Sequence, residues 1–240
     1  MSDHRTSPEQ LREKNAEIDR LINENNKGAK KLIDQTLALA QRAGFEEIEI
    51  DLRIRQADYA FTFNSDDETE ITILHNCAER SRTINYTQGI AQVTIRHIQR
   101  ANRLGDFKEV VRLANNVLAL PLAKFDGSRA AALTMRGYAE PRISQKHTAK
   151  EDLEEALAIG RKLDDVILIT NAYIMLCQRW RNEGNNEKAL EGALKALELL
   201  RPTRFYLGAA GATNSIAGTY IFMGNYPKAL EYFRQALKLY

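Results

Sequence analysis

The sequence has little of what most site chemistry needs. Its two cysteines, Cys77 and Cys177, stand a hundred positions apart in no metal-type spacing, so a disulfide framework is not expected and both read as small, reduced packing residues. Of the four histidines, His4, His75, His97 and His147, only His75 lies near a thiol, and the His75/Cys77 pair lacks the second pair of ligands that a zinc site requires. There is no phosphate-binding glycine loop, nucleophile elbow or His-Glu-x-x-His pair. The small-residue run from Leu207 to Ala212 opens a helix with no strand before it, so close packing accounts for it. No nucleophile, base and oxyanion donor come together. The chain is expected to be no enzyme itself, with no cofactor and no metal.

An excess of one charge is also missing. Lys and Arg number 34 against 32 Asp and Glu, a net charge of +2, and the signs are interleaved along nearly every helix. A nucleic-acid surface would show a concentrated basic stripe. The pairs Asn25-Asn26, Asn115-Asn116 and Asn185-Asn186 could form a ladder reading RNA bases, yet they fall in turns or on second helices, so RNA binding is the weakest alternative. No apolar run reaches the roughly 18 residues of a membrane span. The first eight residues lack the apolar core of a secretion signal, so no membrane partner and a cytoplasmic location are expected.

What is present is helical periodicity. Hydrophobic residues make up 44% and charged ones 28%, ordinary for a soluble protein, and 240 residues suit one or two domains or one elongated stack of repeats. Residues 1–7 read as a flexible arm. Pro8 then opens a helix with Leu11, Ile18, Leu21 and Ile22 on one face, and Leu32, Ile33, Leu37 and Ala40 form the stripe of a second over 29–43, stopped by Gly44. Residues 45–64 alternate like a strand at Ile48, Ile50, Leu52 and Ile54, but a lone strand would have no partner, so a helix is expected. Ser65 with Asp66, Asp67 and Glu68 reads as a helix cap rather than a metal site. Further helices are expected over 86–103, about 107–120 and 130–139. A break at Pro141 covers 140–148, and the second arm of the fourth hairpin and then the fifth and sixth hairpins follow.

The turns measure the period. Gly184 to Gly224 is 40 residues and Gly105 to Gly184 is 79, two such steps, while one small or packing position recurs at Ile98, Gly137, Cys177 and Ala217. The stretch 211–240 is the sharpest unit: two amphipathic helices joined by Gly224-Asn225-Tyr226-Pro227, with Ala217, Tyr220, Ala229, Phe233, Ala236 and Leu239 on the facing sides. It resembles one tetratricopeptide repeat, and the resemblance extends over 87–240, with 8–84 following by continuation of the period. The step near 40 resembles the lengthened repeats of bacterial sensory and regulatory proteins. The resemblance implies an all-α, right-handed superhelical solenoid of about six antiparallel hairpins, 8–43, 45–84, 86–120, 128–163, 165–200 and 205–240, in one domain.

It also implies a function and two surfaces. First helices of such hairpins line a concave groove, and the positions carried over are Arg55, Tyr59, Arg96, Gln99, Arg103, Thr134, Tyr138, Asn171, Gln178, Arg181 and Asn214. Amides that pair with a peptide backbone and arginines that fork onto carboxylates suit an extended, acidic peptide. The lysine and asparagine clamp of chaperone-binding repeats is not reproduced. At the other surface, Tyr226, Leu230, Phe233, Leu237 and Tyr240 leave apolar area at the end of the stack. A further output domain beyond Tyr240, a second copy forming a homodimer, or a partner is expected to cover it. The reading is a non-catalytic protein- or peptide-binding module, the sensory or interaction region of a bacterial signalling protein, with a free-standing adaptor as the alternative.

Overall fold

The computed structural model describes residues 7–64, 67–124, 126–143 and 148–239. Among them every regular element is helical: α1 (Pro8–Asn23), α2 (Ala29–Ala43), α3 (Glu46–Tyr59) running into a π-helical turn (Ala60–Asn64), α4 (Asp67–Thr83), α5 (Thr87–Arg103), α6 (Phe107–Leu118), α7 (Gly127–Ile143), α8 (Ala149–Leu163), α9 (Val166–Asn182), α10 (Asn186–Leu200), α11 (Tyr206–Phe222) and α12 (Tyr226–Leu237). The chain divides into two compact units, residues 1–96 and 97–240, with the division inside α5.

In the first unit, α1 starts where a capping box closes it. The Ser7 hydroxyl accepts from the Gln10 amide and the Gln10 side chain accepts from the Ser7 amide, so Ser7 belongs to the helix cap rather than to an arm. The expected cap at Ser65 and Asp66 lies outside the described residues. α3 packs against α1, α2 and α4, which explains its strand-like alternation. Ile48 and Leu52, one turn apart, pack with Leu11, Ile18 and Ile33. Ile50, Ile54 and Ala57, on another face, pack with Leu74 and Cys77. A helix buried on two sides loses the single stripe that marks a surface helix.

In the second unit each helix packs on the next from α6 to α12, and the first helices also meet side by side, α7 on α9 and α9 on α11. The same turn chemistry recurs. Gly105, Gly184 and Gly224 take left-handed conformations, with φ of 73°, 78° and 73°. Directly after them Asp106, Asn185 and Asn225 cap the next helix by accepting from the amides of Glu109, Lys188 and Lys228. The recurring position Ile98, Gly137, Cys177 and Ala217 is buried throughout. At Gly137 a Cβ would stand 2.8 Å from the Ala149 carbonyl, so α7 and α8 meet at a distance only glycine permits.

Two expectations about elements need correction. The break placed at Pro141 does not end the helix there: α7 runs from Gly127 to Ile143, with Pro141 inside its last turn. So near the end, the missing amide removes one bond from a turn that was about to stop, which the helix tolerates. Residues 144–147 of that connector lie outside the described residues. In the last hairpin Phe233 is 36% exposed, and the ring that fills the interface is Tyr232, stacked on Tyr220 with centroids 5.6 Å apart.

Candidate functional site

Two arginines assigned to a binding groove are engaged within the first unit. Arg55 Nη1 lies 2.9 Å from Asp19 and 3.0 Å from Asp58, joining α1 to α3. Arg96 grips the same Asp58 carboxylate through its Nε and, at 2.7 Å, its Nη2. Burial opposes ionisation of Asp58, but the Arg96 and Arg55 guanidiniums overcome it and hold the carboxyl below its usual range. Asp51 is the opposite case: burial raises its pKa although the Tyr86 hydroxyl and the Gln92 amide donate to it at 3.0 Å each. Tyr59 packs on Phe63, centroids 4.5 Å apart. Arg55 and Arg96 are therefore tied into a structural ion cluster, although the Nε of Arg55 is, like that of Arg179, buried with no acceptor.

The first helices of the second unit carry a different arrangement. α7 and α9 hold five arginines, Arg129, Arg136, Arg142, Arg179 and Arg181, against a single acid, Glu140, and α11 has no charged residue. Arg129 pairs with Glu155 at 2.9 Å and Arg136 with Asp152 at 2.6 Å, both on α8. The other three have no carboxylate partner among the described residues. Arg142 lies 3.7 Å from the Tyr138 ring centroid and 5.2 Å from that of Phe107, and donates to the Tyr138 carbonyl. Arg181 donates to the Ser215 carbonyl at 3.3 Å and the Thr219 hydroxyl at 3.4 Å, and burial lowers its pKa. Arg179 has its Nε buried with no acceptor.

Between α7 and α9 these side chains line a cavity of about 30 Å³, with Gly137, Tyr138, Pro141, Arg142, Met175, Gln178, Arg179 and Asn182 in its wall. Of the expected groove residues, Tyr138 and Gln178 are brought together here, and Arg181 stands on the α11 side of the same helix. Asn171 and Asn214 are half-buried, and Gln99 and Arg103 are exposed on the last turns of α5. Thr134 is a correction. It is 3% exposed and donates to the Ala130 carbonyl, so it faces the helix interior and not a groove.

Residues 180–240 match the family model described as tetratricopeptide repeat. The last quarter of the chain thus carries tetratricopeptide-repeat sequence. Two solved structures share the fold of this chain. BtubC (BKLC) from P. vanneervenii superposes with a TM-score of 0.63 at 12% identity, covering 95% of this chain and 90% of that one. A Rap protein complexed with competence and sporulation factor superposes with a TM-score of 0.65 at 15% identity, covering 96% of this chain, which spans 65% of the Rap chain. At such identities the likeness is one of fold. No curated protein matches the chain. Tetratricopeptide repeats are protein-interaction folds, and no described helix is long and apolar enough to cross a membrane.

Sequence reasoning missed Arg142, Arg179 and Asn182. Arg142 was hidden because Pro141 was taken as the start of a break, which removed the last turn of α7 from the helical face. Asn182 was legible as the residue one turn on from Gln178 on the same α9 face; Arg179, next in sequence and turned about 100° round the helix, reaches the cavity only through its long side chain. The apolar end is as exposed as its residues implied, with Tyr226 at 68%, Leu230 at 51% and Leu237 at 73%. Tyr240 lies outside the described residues.

Proposed function

We propose that this chain is a non-catalytic peptide-binding module, the cytoplasmic interaction region of a bacterial signalling protein, whose ligand is an acidic segment laid across α7, α9 and α11. One observation carries the reading: Arg142, Arg179 and Arg181 stand on adjacent first helices with no carboxylate partner among the described residues. The signalling role draws support from the lengthened repeat and from the fold shared with the Rap protein crystallised with competence and sporulation factor. Because each repeat packs mainly on its neighbours, a ligand touching α7, α9 and α11 selects among their arrangements. The test is anisotropy titration with labelled Asp/Glu-rich peptides at low and high salt. Arg179→Ala with Arg181→Ala should weaken binding at least tenfold, and salt should weaken the wild type; equal affinity for wild type and variant sinks the reading.

A second copy seated on α12 is the other reading. Tyr226, Leu230 and Leu237 are exposed along that helix beside Glu231, while Arg234 and Lys238 have no ion pair among the described residues. Two copies of α12 laid antiparallel bring Glu231 of each toward Arg234 or Lys238 of the other, a self-complementary pattern. Sedimentation should show a dimer that Leu230→Glu with Leu237→Glu converts to monomer; a monomeric wild type at 100 μM rules it out.

A further inference from the structure

We propose that the small cavity between α7 and α9 is a receptor for a single carboxylate, held by the guanidiniums of Arg142 and Arg179 and the side-chain amides of Gln178 and Asn182. This deepens the peptide-binding reading and rests on it for the source of the carboxylate.

The donors are in place and unspent. The Nε of Arg179 is buried without an acceptor, and its guanidinium has no hydrogen bond or ion pair among the described residues. A buried donor with nothing to donate to is costly, so such a group points to an acceptor that arrives from outside. Arg142 is held in place by the Tyr138 and Phe107 rings and by one bond to the Tyr138 carbonyl, which leaves most of its donors open. Gln178 and Asn182 are one turn apart on α9, line the same cavity, and have no hydrogen bond among the described residues.

The charge and the size select the ligand. No Asp or Glu lines the cavity among the described residues. The nearest acids in sequence are occupied elsewhere: Glu140 accepts from the Thr148 hydroxyl at 2.6 Å, and Glu183 lies 3.8 Å from Lys150. Arg142 is exposed and hydrated, so the buried Nε of Arg179 is the donor that most needs an acceptor. A volume of about 30 Å³ has room for one or two water-sized groups, enough for the two oxygens of a carboxylate. The planar guanidinium fork matches a carboxylate edge in the same way. The stacked Tyr138 ring forms one wall and Met175 another, so the anion is partly shielded from water, where a charge-assisted bond is stronger.

The experiment uses the full chain, 15N-labelled, with sodium acetate as the probe against sodium chloride at equal ionic strength and with sodium phosphate as a second anion. The Nε–H signal of Arg179 and the side-chain amide signals of Gln178 and Asn182 should move saturably with acetate. Arg179→Gln should abolish that response. Arg179→Lys, which keeps the charge and loses the fork, should weaken it at least tenfold, and Asn182→Asp, which supplies a competing carboxylate, should abolish it without removing either arginine. Linear shifts shared by all exposed arginines overturn the receptor, as does tighter saturation by phosphate than by acetate. Acidic peptides are titrated into the same variants. Saturable acetate binding with no peptide bound supports the receptor and sinks the peptide reading; peptide binding insensitive to Arg179→Gln sinks the receptor and leaves the peptide reading standing.

Discussion

Among the described residues, replacing Asp58 by Asn removes the carboxylate that Arg96 grips directly and one of two that Arg55 contacts, leaving Asp19 and Glu70 to act on Arg96 from further off. The fold positions this acid at the centre of three helices, α1, α3 and α5, with the side chains of Asp58, Arg55 and Arg96 only 16%, 15% and 16% exposed. Arg55 retains Asp19 at 2.9 Å, so its loss is partial. Arg96 is left as a buried cation with a neutral amide, the situation in which removing one partner costs about 3–5 kcal/mol. Against a total of about 5–15 kcal/mol for a domain of this kind, that is a large fraction. The assay is urea unfolding followed by circular dichroism at pH 7. We expect the midpoint to fall and, in the cycle with Arg96→Met, the double variant to recover more than half of the loss, because it removes both charges at once. A loss below about 1 kcal/mol, the scale of an exposed pair, refutes the account. The pH dependence has a fixed sign. The folded pKa of Asp58 lies below its unfolded value near 3.9, so its contribution is complete above about pH 4 and is lost as pH falls through the folded value.

Asp51 carries the opposite sign: its folded pKa is raised by burial, so its contribution is full below about pH 3.9 and fades as pH rises through the folded value. Asp51→Asn, which mimics the protonated acid and can still accept from Tyr86, should be at least as stable as wild type at pH 7, with the difference narrowing toward pH 4; a less stable variant at pH 7 speaks against the assignment. Two helix-interior glycines should respond with opposite signs to alanine. At Gly192 a Cβ meets Trp180 Cζ3 at 2.6 Å and Cys177 Sγ at 3.2 Å, both in the core, so overpacking of about 1–3 kcal/mol outweighs the gain in helix propensity. At Gly211 the nearest atom is Ile174 Cδ1 at 3.4 Å, so the propensity gain of roughly 0.5–1 kcal/mol should show as a higher melting temperature. Alkylation by iodoacetamide at pH 8 should be slow at Cys177, whose thiol burial pushes up to about 12, and fast only in urea.

The helices were largely legible because their signals are local. A left-handed glycine followed by Asp or Asn at 105–106, 184–185 and 224–225 ends one helix and caps the next, and both steps are decided within four residues. The 45–64 segment was legible only through its surroundings, since Ile48 with Leu52 and Ile50 with Ile54 serve two different neighbours. Pro141 misled because a proline's cost depends on how far the helix continues, and here only two residues follow it. The Phe233 assignment failed by one position: Tyr232 stacks on Tyr220 and Phe233 turns outward.

The ion partners were not legible at all. Arg96 and Asp58 are separated by 38 residues, Arg129 and Glu155 by 26, Arg136 and Asp152 by 16, and nothing within one helix says which arginine has an acid waiting across the hairpin. Judged by position alone, Arg55 and Arg96 look like the best ligands of the groove; judged by their partners, they are committed to Asp58, and Arg142 and Arg179 are available.

The period itself explains why the site could not be read by stepping along it. Forty residues apart, the packing position gives Gly137, Cys177 and Ala217, small and buried each time, because every hairpin solves the same close approach. The same step on the face gives Tyr138, Gln178 and Gly218, and then Arg142, Asn182 and Phe222, which share neither size nor charge. A code that read a repeating polymer would need one side-chain type to recur at that position, as helical readers of RNA bases require. A face whose chemistry changes at each step, basic at α7 and α9 and uncharged at α11, lacks that recurrence, which is why the proposed peptide is one of fixed sequence and not a repeating polymer.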